Sequence, residues 1–124
     1  MVEIPKVCRY CGAKVVFTSN AEIYGKQYGG GMCYLCRRCG AYVGTHKGSR
    51  APLGTMADDV LRYWRKQAHD NFDKLWKSKR LSRPQAYKWL ATQMGLSAEE
   101  THIALFEVDQ CEKVVELVKK YENK

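Results

Sequence analysis

Two five-residue stretches of this chain share one form: Cys8-Arg9-Tyr10-Cys11-Gly12 and Cys36-Arg37-Arg38-Cys39-Gly40. A Cys-x-x-Cys turn brings two sulfurs within reach of one ion. Backbone N–H groups inside the turn stabilise the first thiolate, and glycine after the second cysteine lets the chain leave with a positive φ. Zinc takes four such ligands in a tetrahedron. The two turns therefore predict a zinc held by Cys8, Cys11, Cys36 and Cys39, in a zinc ribbon whose knuckles are joined by a hairpin. Cys33-x-x-Cys36 is a second legal pair, but only Cys36 and Cys39 repeat the glycine, so Cys33 is read as a small buried strand residue. His46 is an alternative fourth ligand, although a single histidine in a loop is more often just a loop residue. Four thiolates leave no open coordination position, which makes the site structural rather than catalytic.

Three other groups invite a chemical reading. Lys77, Lys79, Arg80, Arg83 and Lys88 form an acid-free run flanked by Trp76, Tyr87 and Trp89. Cations neutralise phosphates and aromatic faces stack on bases, so the run is a candidate nucleic-acid surface. It includes a helix N-terminus able to receive a phosphate. The knuckle arginines Arg9, Arg37 and Arg38 are the other candidate phosphate contacts. The competing reading is a solvated turn with Trp76 and Trp89 in the core. His69 and Asp73 lie four apart on one helix face. With His46 or His102 they form a candidate second metal or hydrolytic site, and otherwise an i, i+4 pair in which Asp orients His. Cys111, near a helix start, is read as packing inward beside Val114 and Val115 rather than as a nucleophile.

The elements that position these groups follow from composition and period. The chain has 124 residues, 45% of them hydrophobic and 27% charged, a folding composition. No apolar run approaches a membrane span, and the N-terminus lacks a secretion signal's apolar stretch. A cytosolic setting is expected, where six cysteines at mostly paired spacing suggest metal rather than disulfides. The net charge of +8 is uneven: residues 1–54 carry +6, residues 55–96 carry +5, and residues 97–124 carry −3. Four thiolates with one divalent ion would lower the total to about +6.

Residues 1–50 read as a metal-held β module, too short to fold without a staple. Strands are expected over 13–18, through Ile23-Tyr24 as far as the break at Gly29-Gly30-Gly31, over 32–35, and over 41–44, with Ser19-Asn20 as a turn. Residues 45–55 read as a linker. Beyond it Ala57, Leu61, Trp64, Ala68, Phe72 and Leu75 recur at helical spacing, with Thr55 and Asp58 as a capping box. Ser82 with Gln85 and Pro84 opens a second helix that stops near Gly95. Ser97 with Glu100 opens a third, and Asp109 with Glu112 opens a fourth. The fold class is α+β: a zinc-ribbon module over 1–50 and a helical bundle over 51–124, expected to pack as one unit.

The chain resembles the zinc-finger-containing domain family of bacteriophages and bacterial mobile elements. The matching stretches are Cys8-Arg-Tyr-Cys-Gly, Tyr24-Gly, Cys36-Arg-Arg-Cys-Gly-Ala-Tyr-Val-Gly-Thr-His46, Pro52-Leu-Gly-Thr, Arg62…His69…Phe72-Asp73, Arg83…Ala86-Tyr87…Trp89-Leu90, and His102-Ile103 followed by Cys111. The resemblance implies a zinc site and a bacterial cytoplasmic or phage setting. Basicity, knuckles and the 76–89 run together point to nucleic-acid binding or adaptor work. The alternatives are a protein-binding inhibitor of a host defence enzyme, marked by an exposed apolar patch, and a metal-dependent nuclease built on His69 and Asp73. No catalytic residue is assigned.

Overall fold

A computed structural model of the chain describes residues 2–25 and 31–123. They form two compact units, Met1–Asp59 and Val60–Lys124.

In the first unit β1 (Val16–Ser19), β2 (Met32–Leu35) and β3 (Tyr42–Gly44) form an antiparallel sheet in the order β1-β2-β3. The register pairs Val16 with Leu35 and Thr18 with Cys33, then Cys33 with Gly44 and Leu35 with Tyr42. The expected strand through Ile23-Tyr24 is instead the helical turn α1 (Ala21–Tyr24). Ser19 Oγ accepts the Ala21 N–H at 3.1 Å, and the Asn20 carbonyl accepts the N–H groups of Ile23 and Tyr24. Ser19-Asn20 thus opens a helical turn rather than a hairpin, because these polar side chains serve either. Gly29 and Gly30 of the expected break lie outside the described residues.

The stretch read as a linker folds back on the sheet instead. Thr45 bridges Pro52, and Tyr42 bridges Ala57 through N–H···O bonds of 3.1 and 3.0 Å. The Tyr34 hydroxyl donates to the Arg50 carbonyl at 2.6 Å. Buried Cys8, Val15, Tyr34, Cys36, Ala41, Val43 and Met56 form the core of this unit. Its apolar content is small, so the staple is needed for the physical reason given above.

The second unit is helical. α2 (Asp59–Lys77) buries Leu61, Ala68, Phe72 and Leu75. It starts later than its apolar stripe suggests: Ala57 sits in the bridge to Tyr42, and a box opened by Thr55 would lie ahead of the helix. α3 (Arg83–Met94) starts at a complete capping box, with Ser82 Oγ accepting from the Gln85 N–H at 3.2 Å and Gln85 Oε1 accepting from the Ser82 N–H at 2.9 Å. It stops at Gly95. Ser97 and Glu100 form the same reciprocal pair but close only a turn. There the buried Thr101 hydroxyl donates back to the Ser97 carbonyl at 2.6 Å, and a 3₁₀ turn follows at Ile103–Leu105. The last helix, α4 (Val108–Glu122), is capped by Glu107 with Gln110, two residues ahead of the expected Asp109–Glu112 box. Phe72, Leu90, Phe106, Cys111, Val114 and Val118 meet in the core, with Trp76 and Trp89 packed partly buried against it. Among the described residues, no helix is long and apolar enough to cross a membrane.

Candidate metal centre

The knuckles are copies of one backbone turn. Cys8 N–H donates to the Ala13 carbonyl at 2.8 Å and Gly12 N–H to the Cys8 carbonyl at 2.9 Å. In the second copy Cys36 N–H donates to Ala41 at 2.9 Å and Gly40 N–H to Cys36 at 2.8 Å. Gly12 and Gly40 have φ values of 77° and 85°, the left-handed region that closes both turns. Bridge Val7–Lys14 pins one turn, and β2 and β3 frame the other.

The four Sγ atoms lie within 4.8 Å of one another. Cys8 Sγ is 3.4 Å from Cys39 Sγ, and Cys11 Sγ is 3.5 Å from Cys36 Sγ. A tetrahedron with Zn–S near 2.3 Å separates its sulfurs by roughly 3.8 Å, so the donor set fits zinc with small adjustments. Cys8 and Cys36 are buried while Cys39 is exposed, which leaves one side of the centre facing solvent.

The sequence from residue 4 to residue 121 matches the family described as a zinc-finger-containing domain. The chain belongs to that family. No curated protein and no solved structure matches it.

Electrostatics inside this zinc-finger-containing domain follow the turn geometry. The Cys39 N–H favours the Cys36 thiolate. With the Cys11 thiol and the Arg38 N–H it outweighs burial and brings Cys36 down to about 6. Burial pushes Cys8 up, but the N–H groups of Cys11 and Tyr10 and the thiols of Cys39 and Cys11 reverse this, and the net shift is downward. The trailing cysteines move the other way. Ala41 N–H favours the Cys39 thiolate, yet the Cys8 sulfur, burial and the other two sulfurs push Cys39 up to about 12. Ala13 N–H acts likewise on Cys11, and the Cys36 sulfur, burial and Cys8 raise it. Within each knuckle the leading cysteine is thus the more acidic thiol and the trailing one the less acidic. A bound zinc stabilises all four thiolates and displaces the protons that the sulfurs still carry.

The other cysteines stand apart. Cys33 is buried in β2, its thiol raised by burial and by the Glu22 charge. Cys111 is buried in the helical core and pushed up to about 11 by burial, which argues against a nucleophile.

The predicted cations are differently engaged. Arg9 Nη1 donates to the Met56 carbonyl at 3.4 Å and its guanidinium lies 5.2 Å from the Tyr10 ring centre. Arg37 forms a bidentate pair with Glu22, at 3.0 and 2.6 Å. This pair holds the Glu22 carboxyl down at about 2, with the Thr18 hydroxyl assisting. Arg38 is exposed. Lys77, Lys79, Arg80, Arg83 and Lys88 are all exposed around the α2–α3 turn, and none of them forms an ion pair among the described residues. The aromatic rings nearby face these cations: Arg83 lies 5.5 Å from both the Trp76 and Tyr87 centres, and Lys77 lies 5.6 Å from Trp76. The N-terminus of α3 is a poorer phosphate receiver than expected, because Pro84 has no N–H and the Gln85 N–H is taken by Ser82.

The residues of the candidate second site divide between the units. His46 is in an exposed loop of the first unit, while exposed His69, partly buried Asp73 and exposed His102 belong to the second. Asp73 Oδ1 accepts from Trp76 Nε1 at 3.1 Å rather than orienting a histidine. Among the described residues, the group close enough to hold a metal is the four cysteines.

Sequence reasoning missed Glu22, although it is one of only two acids in residues 1–54, against eight Lys and Arg. It also missed that the knuckle repeat extends to Cys-Gly-Ala, at Cys11-Gly12-Ala13 and Cys39-Gly40-Ala41, whose alanine carbonyls close the turns.

Proposed function

We propose that the protein binds nucleic acid through phosphates, in a binding or adaptor role, with the α2–α3 turn as the principal contact. The observation that carries this reading is the exposure of Lys77, Lys79, Arg80, Arg83 and Lys88 around one turn, with no carboxylate paired to any of them among the described residues. Phosphate contact needs mobile, solvated cations and no fixed base-reading surface. Arg38 is a secondary contact. Arg37 contributes less, since a phosphate must compete with Glu22 for its guanidinium. The rings of Trp76 and Tyr87 are already faced by cations, so base stacking supplies little and binding is insensitive to sequence. The free thiols and the thiolate metal site suit a reducing compartment, so we place this activity in the cytoplasm of a bacterial host, in a phage or mobile-element context.

The test is a salt titration of binding to mixed duplex and single-stranded oligonucleotides. On duplex DNA the log–log slope should be near ~0.9 per phosphate contacted. Lys79→Gln with Arg80→Gln should weaken binding to every sequence alike and flatten that slope by roughly one to two units. These two positions are chosen because Arg83 also packs over rings. An absence of binding at low salt would refute the reading.

A further inference from the structure

We propose that a groove along α3 is a docking site for an acidic, amphipathic helical segment of a partner protein. The groove has a volume of about 820 Å³ and lies wholly within the helical unit. Its apolar lining is Pro84, Tyr87, Ala91, Leu96 and Ala98, of which Tyr87, Ala91 and Leu96 are half-buried. Arg83 and Lys88 stand at its rim, both exposed, and no carboxylate lines it. The whole of α3 contains no acid.

These features choose among occupants. Positions 84, 87, 88, 91 and 92 are spaced as one face of a helix, so the groove runs along α3 for roughly 12 Å, about two turns of a partner helix. An amphipathic helix binds such a groove with apolar side chains at i, i+3, i+4 and i+7. The rim cations Arg83 and Lys88 call for carboxylates beside those anchors, set away from the exposed Glu99 and Glu100 that adjoin Ala98 and Thr101 in the chain. A stacked base fits less well. The Tyr87 ring is occupied by Phe72, 4.8 Å between centres, and by Arg83. A ligand needing several directional hydrogen bonds also fits less well, since the Thr92 and Thr101 hydroxyls donate to the Lys88 and Ser97 carbonyls, which leaves exposed His102 beside the two rim cations. A second copy offers α4, whose four acids are nearly balanced by three lysines and whose apolar face is spent on its own core, burying Cys111, Val114 and Val118. An acidic partner segment remains. The inference does not rest on nucleic-acid binding, although Arg83 and Lys88 are shared with that reading.

The test uses the zinc-loaded full chain and a synthetic peptide of about 15 residues, with Leu at i, i+3, i+4 and i+7 and Glu on the flanking positions. Control peptides replace Glu by Lys or Leu by Ser, and a single-stranded oligonucleotide is run in parallel. Anisotropy should give at least about tenfold tighter binding for the Glu/Leu peptide than for either control. Amide shifts on binding should cluster on 83–92 and 96–102. Ala91→Arg fills the floor and should weaken the peptide about tenfold or more while leaving oligonucleotide binding equal or stronger. Lys88→Glu, at a solvent-exposed site, should weaken the peptide by several-fold. No peptide binding, equal binding of the Lys peptide, or shifts elsewhere would overturn the proposal. So would a dimer abolished by Ala91→Arg, which assigns the groove to a second copy. Loss of oligonucleotide binding in Ala91→Arg would assign it to nucleic acid instead.

Discussion

The two units reach a folded state by different means. In Met1–Asp59 the strands are three or four residues long, and among the described residues two of the seven buried core residues are the zinc ligands Cys8 and Cys36. In Val60–Lys124 the core is Phe72, Leu75, Leu90, Ile103, Phe106, Val114 and Val118 on long helices, with no ligand set involved. One unit replaces missing apolar burial with metal–sulfur bonds, and the other relies on transfer of side chains from water. The same chain length near 60 residues thus supports two solutions to the surface-to-volume problem. What separates them is whether large apolar side chains recur at helical period.

Chelation is the strongest way to break this comparison. Apparent zinc binding in small fingers is worth about 10–16 kcal/mol, more than a unit with so small a core can replace. Stripping zinc should therefore unfold Met1–Asp59 while the helices of Val60–Lys124 persist. Amide dispersion of β1–β3 would collapse, and most helical circular dichroism would remain. Cys36→Ser and Cys39→Ser should lose zinc in the same way, whereas Cys33→Ser, in a strand outside the cluster, should retain one zinc per chain. Sheet signals surviving chelation would show that the metal is not the staple.

The converse variant is Phe72→Ala. Phe72 is completely buried and packs on Tyr87. Its loss should cost about 3–5 kcal/mol, a large share of the stability of a small helical unit. Helical signal should melt early while zinc stoichiometry stays unchanged. A fall in zinc content in this variant would mean that the two stabilities are not separable.

Legibility in the sequence follows the same division. The knuckles were readable because ligand type and spacing leave few alternatives, and the repeat at Gly12 and Gly40 separated Cys39 from Cys33. α3 was readable at both ends, since Ser82, Pro84, Gln85 and Gly95 each have a specific cap role. α1 was not, because Ile23-Tyr24 is equally apolar in a strand or a single helical turn. Ala57 falls in phase with the α2 stripe by coincidence, and only its pairing with Tyr42 assigns it to the sheet. The start of α4 was missed because Glu107 ranks low as an N-cap, yet Gln110 completes its box. The α3 groove depends on residues 83–92 meeting 96–102 in space, which no local pattern encodes.

The smallest expected effect concerns acid. Arg37 holds Glu22 at about 2 in the folded unit, against an unfolded value of ~4.3. A carboxyl with a depressed folded pKa contributes stability that is present above ~4.3 and lost as pH falls toward 2. The knuckles meet protons earlier, because every zinc-bound thiolate must be kept deprotonated and proton competition releases the metal well above pH 2. The acid limit of the first unit should therefore be set by the cysteines, and Glu22 should stay ionised across the whole zinc-bound range. The pair is also exposed, with 63% and 35% of the Arg37 and Glu22 side chains accessible, so salt screens it. Arg37→Gln should then barely move the pH at which zinc is released, measured with a metal indicator. Carboxyl NMR on the wild-type protein should show Glu22 titrating only after zinc has left, and near its unfolded value. A zinc-release midpoint that climbs substantially in Arg37→Gln would show that this surface pair, and not the sulfurs alone, holds the second knuckle in place.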